Sequence, residues 1–122
     1  MNTEPPEERC YGIDIADDGA LVVAEYSQGK PGTATRYPAG ETGVAAVREQ
    51  IGREATRPRI CIRACGASAL TVAMGLAPLP SVEVTLLAPR VIEAGARPKL
   101  EAAPVTPEER AQRLAQLAGR LI

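Results

Sequence analysis

Apolar and polar residues follow two different periods along the chain, and the change of period separates strands from helices. Short apolar runs bounded by Gly, Pro and Asp are typical of strands, while apolar residues three or four positions apart are typical of amphipathic helices. The predicted strands are residues 10–15, 20–27, 33–37, 60–64 and 82–87. The first predicted helix begins at residues 41–43. The other three span approximately residues 68–76, 89–94 and 106–121.

The order of these elements predicts an α/β fold. Three strands in succession, with a turn at Gly29–Gly32, favour an antiparallel meander, and the alternating helices and strands that follow add parallel strands. We therefore expect an RNase H-like, mixed five-stranded sheet with helices on both faces. In this arrangement the first strand lies in the middle, beside the fourth. Residues 10–122 are predicted to form this single domain, after a disordered N-terminal segment of residues 1–9.

The last helix has the strongest local signal. Thr106 is placed as the N-cap, Pro107 as the first helical residue and Glu109 as the third, which is the pattern of a capping box. One apolar stripe then follows at Ala111, Leu114, Ala118 and Leu121. The stripe predicts that this helix packs on the sheet, with Leu114 more deeply buried than Leu117.

The first helix has a similar apolar stripe but a weaker N-terminal capping signal. Thr42 is the predicted N-cap. The predicted buried face carries Val44, Val47 and Ile51, and the predicted outward face carries Arg48, Glu49 and Arg53.

Composition excludes several kinds of chemistry. The 122 residues contain no His, so catalysis by Ser-His-Asp or Cys-His groups and His-ligated metal sites are excluded. Cys10, Cys61 and Cys65 form no C-x-x-C pair and are expected to be small buried hydrophobic residues. No apolar run is long enough to span a bilayer, and the acidic, Pro-containing N-terminus is unlike a signal peptide, so a cytoplasmic protein without membrane contact is expected.

Asp14 is the residue around which the candidate chemistry is organised. It stands between Ile13 and Ile15 in a strand predicted to be buried, and a buried carboxylate needs a metal ion, a cation or several donors to compensate its charge. One interpretation is that Asp14 caps the turn at Asp17–Gly19. The other is that it is the first acid of an RNase H-like site.

Short motifs distributed from residue 10 onward resemble the N-terminal, RuvC-like domain of the DEDD-type transposases of the insertion-sequence-110 family. Gly12-Ile13-Asp14-Ile15-Ala16 followed by Asp18 resembles the opening strand of that domain. The further matching segments are Gly43–Ala46 (first helix), Ile62–Gly66 (a strand ending in Glu-Ala-Thr-Gly), Ala88–Ala94 (an Asn-Pro-Arg turn and helix), Gly95–Pro104 (a Lys-Thr-Asp-x-x-Asp-Ala motif) and Leu114–Leu117 (the helix that follows).

The resemblance implies a site of four acids that hold two divalent ions for phosphodiester cleavage. Of the four positions only Asp14 keeps the family's residue, because the others are Arg63, Glu101 and Pro104. Arg63 places a fixed cation where a metal ligand belongs. The resemblance therefore implies a degenerate, inactive domain without a cofactor. Because strands one and four are expected to be neighbours, we predict that an ion pair between Asp14 and Arg63 replaces the metal.

Four functions are left open by these residues. The first is a non-cleaving module that binds DNA or RNA electrostatically through Arg90, Arg97 and Lys99. This function is favoured by the excess of basic residues after residue 50. The second is a module with a protein partner, which the scarcity of aromatic residues favours over one that stacks single-stranded bases.

The third function is an active nuclease that uses Asp14 and Glu101, with help from Asp17 or Asp18, and requires Mg²⁺ or Mn²⁺. The fourth is a nucleotide binder similar to actin and the sugar kinases. Its phosphate loop needs Gly two residues after the Asp, where this chain has Ala16, and no other Gly-rich phosphate loop is present.

Overall fold

The computed structural model describes residues 9–27, 30–64, 66–88 and 106–120. The strands are β1 (Cys10–Ile15), β2 (Leu21–Ser27), β3 (Lys30–Tyr37), β4 (Arg59–Arg63) and β5 (Glu83–Leu87). The helices are α1 (Glu41–Glu54), α2 (Ala67–Leu76) and α3 (Pro107–Arg120). The short helix predicted at residues 89–94, the end of the apolar stripe at Leu121 and most of the predicted disordered segment lie outside the described residues.

The strands form one mixed five-stranded sheet in the order β3-β2-β1-β4-β5, which confirms the predicted mixed sheet with the first strand in its centre. β1 pairs antiparallel with β2 and parallel with β4, and β2 pairs antiparallel with β3. β5 extends the sheet parallel to β4. The parallel pair brings the carboxyl ends of β1 and β4 to the same edge of the sheet.

The larger core lies between the sheet and helices α1 and α2. Alternate residues of the central strands point to this side, including Tyr11 and Ile13 of β1 and Ile60 and Ile62 of β4, and all four are essentially inaccessible to solvent. The helices contribute Val44, Val47, Ile51, Ala69, Val72 and Leu76. The predicted buried face of α1 is therefore confirmed.

Helix α3 covers the opposite face of the sheet. Ala111, Leu114, Ala115 and Ala118 pack there against Val22, Ala24 and Cys61. The capping box is confirmed, because the Glu109 backbone N–H donates to Thr106 Oγ1 at 3.1 Å and the Thr106 N–H donates to Glu109 Oε1 at 3.2 Å. Small residues at 111, 115 and 118 let this helix approach the strands closely.

Three local predictions were wrong. Helix α1 is capped by Gly40, whose φ of 82° favours glycine, so Thr42 lies inside the first turn. Arg48 points toward α2, where its Nη1 donates to the Gly75 carbonyl at 2.9 Å. The second turn comes earlier than expected, since Lys30 already pairs with Ser27. Pro31 is tolerated in β3 because this strand is at the sheet edge.

None of the helices in the described ranges is both long and apolar enough to cross a membrane.

Leu114 and Leu117 offer a direct test of how α3 packs. Leu114 is fully buried, whereas Leu117 is half-buried on the same helix. Replacing Leu114 by alanine should lower the free energy of unfolding by about 2–5 kcal/mol, because a large side chain leaves a cavity in a packed layer. Urea denaturation should show a clearly smaller loss for Leu117→Ala, and equal losses for the two variants would contradict the observed packing.

Candidate functional site

Asp14 lies near the carboxyl end of β1, and its side chain is completely buried. It points to the face covered by α3, as Gly12 does, because side chains alternate along a strand. Asp14 is not the cap of the following turn. That role belongs to Asp18, whose Oδ1 accepts the Ala20 N–H at 3.0 Å, while Gly19 supplies the positive φ of 89°. Asp17 and Asp18 are exposed residues of this turn.

Two arginines bind the Asp14 carboxylate. Arg63 Nε donates a hydrogen bond to Oδ1, and Arg110 Nε donates to Oδ2 at 2.9 Å. The side chain of Asp14 is 0% exposed, and those of Arg63 and Arg110 are 20% and 23% exposed. Both oxygens of the carboxylate are thus engaged by cations, in a cluster that we call the Arg-Asp-Arg cluster (Arg63, Asp14 and Arg110).

The fold explains how these three residues meet. Ile13 of β1 is opposite Ile62 of β4, so the next residue of β4, Arg63, lies at the level of Asp14 on the α3 face. Arg110 stands in the first turns of α3, where the capping box fixes the start of the helix. The N-terminal end of α3 therefore covers Asp14 on this face of the sheet.

A second ion pair holds the start of α3 to the edge of the sheet. Arg36 Nε of β3 donates to Glu108 Oε2 at 2.8 Å, and both side chains are exposed. The hydrogen bond to Arg36 is the main cause that lowers the pKa of Glu108, and the same bond raises the pKa of Arg36. Because solvent screens exposed pairs, this contact orients the helix more than it stabilises it.

This arrangement is unsuited to holding a divalent cation. A metal at Asp14 would have to displace guanidinium groups whose fixed charges repel it. Across the described ranges, no group of three or more acidic, Cys or His side chains is suitably placed to bind a metal. Glu101, the second predicted catalytic acid, lies outside these ranges, as do Pro104 and the three predicted nucleic-acid-binding residues Arg90, Arg97 and Lys99.

Cys61 is buried and Cys10 is half-buried, while Cys65 lies outside the described residues. Burial, with a smaller contribution from nearby Cys10, raises the pKa of the Cys61 thiol to about 11. The thiolate is the reactive form of cysteine, so this thiol is protonated and inert near neutral pH.

The structure brings Asp14 and Arg63 together and adds Arg110, for which the sequence patterns predicted no role. The signal that could have indicated Arg110 is the combination of Gly12 with the small residues of α3. A glycine facing alanines permits close packing of the helix on β1, and a side chain from its first turns then reaches a residue just beyond Gly12.

The matches to known proteins include a distant structural similarity. No protein-family model matches the chain, and no curated protein matches it. Among solved structures, the chain is similar to the PPX-GPPA enzyme of Aquifex aeolicus, with 13% sequence identity and a TM-score of 0.39. The match covers 75% of this chain and 39% of that enzyme, so the chain spans less than half of the enzyme's length.

Proposed function

We propose that this chain is a catalytically inactive, RNase H-like domain related to the DEDD transposases, which acts as a binding module. The observation that carries the proposal is that Arg63 and Arg110 engage both oxygens of Asp14. Asp14 occupies the position where the transposase resemblance implies a metal ligand. In this domain the carboxylate serves to hold β1, β4 and α3 together.

The sheet supports the RNase H-like part of the proposal. Its order, with a central β1 beside a parallel β4, is the order that the resemblance implies. The cluster also lies at the carboxyl ends of parallel strands, where α/β sheets commonly place their ligand sites. An ion cluster at that location fits a former metal site that has become structural.

The proposed partner is a protein or a nucleic acid. Stacking of single-stranded bases is disfavoured, because the chain has three Tyr and no Phe or Trp, and Tyr11 is buried. Binding to phosphates through Arg90, Arg97 and Lys99 would be electrostatic and would weaken steeply as salt rises. A titration of the chain with DNA and RNA at several salt concentrations separates the two classes of partner.

The catalytic proposal is tested with metal. We expect Mg²⁺ or Mn²⁺ to leave the melting temperature of the wild-type chain unchanged, and no DNA or RNA to be cleaved. Arg63→Glu should destabilise the fold, and in this variant added Mn²⁺ should raise the melting temperature, because a ligand that binds only the folded state stabilises it. Differential scanning fluorimetry with and without metal, beside a nuclease assay, measures both effects.

An Asp18→Asn variant is the matched control, because it changes an exposed turn carboxylate near the same strand. Its response to metal should equal that of the wild type. The active-nuclease alternative would replace the proposal if the wild-type chain were stabilised by Mn²⁺, or if it cut nucleic acid in a manner abolished by Asp14→Ala. Catalysis would then have to run through Asp14 and Glu101.

A further inference from the structure

A cleft of about 280 Å³ lies on the face of the sheet opposite the Arg-Asp-Arg cluster. Its floor is formed by β1, β2 and β3, and one wall is the C-terminal half of α1. The polar residues that line it include Glu25 and Glu54, the phenols Tyr11 and Tyr37, and the hydroxyl-bearing Thr35. The volume is close to the lower end of the range for small-molecule sites, roughly 300–1,000 Å³.

The carboxylate of Glu54 is held in a fixed orientation. Tyr11 Oη donates to Glu54 Oε1 at 2.9 Å, and Gln50 Nε2 donates to Oε2 at 2.5 Å. Tyr11 is only 1% exposed, so its phenol acts as a rigid support beneath the carboxylate. Burial, with the hydrogen bond to Glu54, raises the pKa of Tyr11, so the phenol stays protonated and donates.

Glu25 brings a second carboxylate to the same space. It stands opposite Tyr11 in the register of β1 and β2, so the two side chains are neighbours on one face. Tyr37 is close enough to both carboxylates that Glu54 and Glu25, after burial, contribute to raising its pKa. Two carboxylates and a half-buried phenol therefore line the cleft.

The structure already contains one example of the group that fits this chemistry. Arg9 Nη1 donates to Glu25 Oε1 at 3.1 Å, with about 30% of each side chain exposed (28% and 32%). Among the described residues that make these contacts, two carboxylates share one guanidinium, so negative charge is in excess. A flat, weakly hydrated cation gains from both carboxylates and from an aromatic face, which favours a guanidinium over a simple metal ion.

We propose that the cleft between α1 and strands β1–β3 binds a guanidinium group, with Glu54 and Glu25 as its counter-ions and Tyr37 as its aromatic wall. The group belongs either to a small free molecule or to an Arg side chain of a protein partner. The proposal goes beyond the binding module described above and is independent of the state of Asp14, which faces the other side of the sheet.

The probe is butylguanidine, with butylurea as an uncharged compound of nearly the same shape. In ¹H–¹⁵N correlation spectra, butylguanidine should shift the amide signals of residues 33–37 and 50–54 and should saturate below about 10 mM, while butylurea should not. Glu54→Gln, which keeps the acceptor for Tyr11 but removes the charge, should weaken binding roughly tenfold or more. Glu49→Gln, an exposed position on the same helix, should bind as the wild type does.

A second experiment distinguishes a small molecule from a protein side chain as the source of the cation. A capped Gly-Arg-Gly peptide that binds more tightly than butylguanidine, with loss of binding when citrulline replaces Arg, indicates a protein partner. Equal or weaker binding by the peptide indicates a small molecule. If Glu54→Gln fails to fold, Tyr37→Leu and Glu25→Gln provide the same comparison. The proposal is overturned if butylguanidine does not saturate, if butylurea binds equally well, or if the folded charge variants bind unchanged.

Discussion

Replacing Arg63 by alanine should lower the free energy of unfolding by about 3–5 kcal/mol. Asp14 is completely buried, and Arg63 engages one of its two carboxylate oxygens. When one partner of a buried pair is removed, the other charge remains in a medium that solvates it poorly. Arg110 remains bound to the second oxygen in this variant, so the loss should fall within this range and not exceed it. Urea denaturation followed by circular dichroism measures the effect.

Arg53→Ala is the matched control, because Arg53 pairs at 3.4 Å with Glu49 on the surface of α1 and both side chains are largely exposed (66% and 70%). An ion pair with an exposed partner is worth about 0–1 kcal/mol, so this variant should lose far less stability. Removing Asp14 as well provides a second check. Asp14→Leu should cost clearly less in the Arg63→Ala background than in the wild type, because the two residues are coupled. Additive losses would show that the buried pair contributes little.

The parts of the fold that the sequence predicts well are those specified by local signals. The capping box of α3 depends only on Thr106 and Glu109, three residues apart, and the structure contains both of its hydrogen bonds. The central place of β1 follows from the order of the elements. The importance of Asp14 is also encoded locally, since the charge of a carboxylate inside an apolar strand needs compensation wherever the strand lies.

Arg110 illustrates what local patterns do not contain. It is separated from Asp14 by 96 residues. The two residues meet only because the N-terminal end of α3 packs over β1 at the level of Asp14. Arg48 is a second example, because its contact with the Gly75 carbonyl depends on how closely α1 and α2 pack. The cleft beside Glu54 likewise arises between elements, where α1 packs beside the strands. Residue spacing within one element cannot predict such contacts.

Gly12 controls the depth at which α3 packs, and Gly12→Ala should be among the most damaging single changes in the chain. A Cβ at this position would lie 2.1 Å from the Ala111 carbonyl oxygen, 2.3 Å from the Ala115 nitrogen and 2.6 Å from Leu114 Cβ. Two of these three atoms belong to the helix backbone, so no side-chain rotation relieves the contact.

The whole helix must move away from β1 to accommodate the added methyl group, and the movement draws Arg110 away from Asp14. The expected loss is therefore at the upper end of, or beyond, the roughly 1–3 kcal/mol typical of overpacking. Gly52→Ala is the control, because Gly52 lies at an exposed position inside α1, where an added Cβ would lie 3.3 Å from Leu79 Cδ2 at the end of a side chain. There alanine should be neutral or should stabilise the helix by about 0.5–1 kcal/mol.

The denaturation curves of the two variants should thus shift in opposite directions or by very different amounts. The Arg110 Nε–H signal in NMR spectra should change only in Gly12→Ala. A Gly12→Ala protein as stable as the wild type would mean that α3 does not rest on β1 at this distance, and the Arg-Asp-Arg cluster would lose its structural basis.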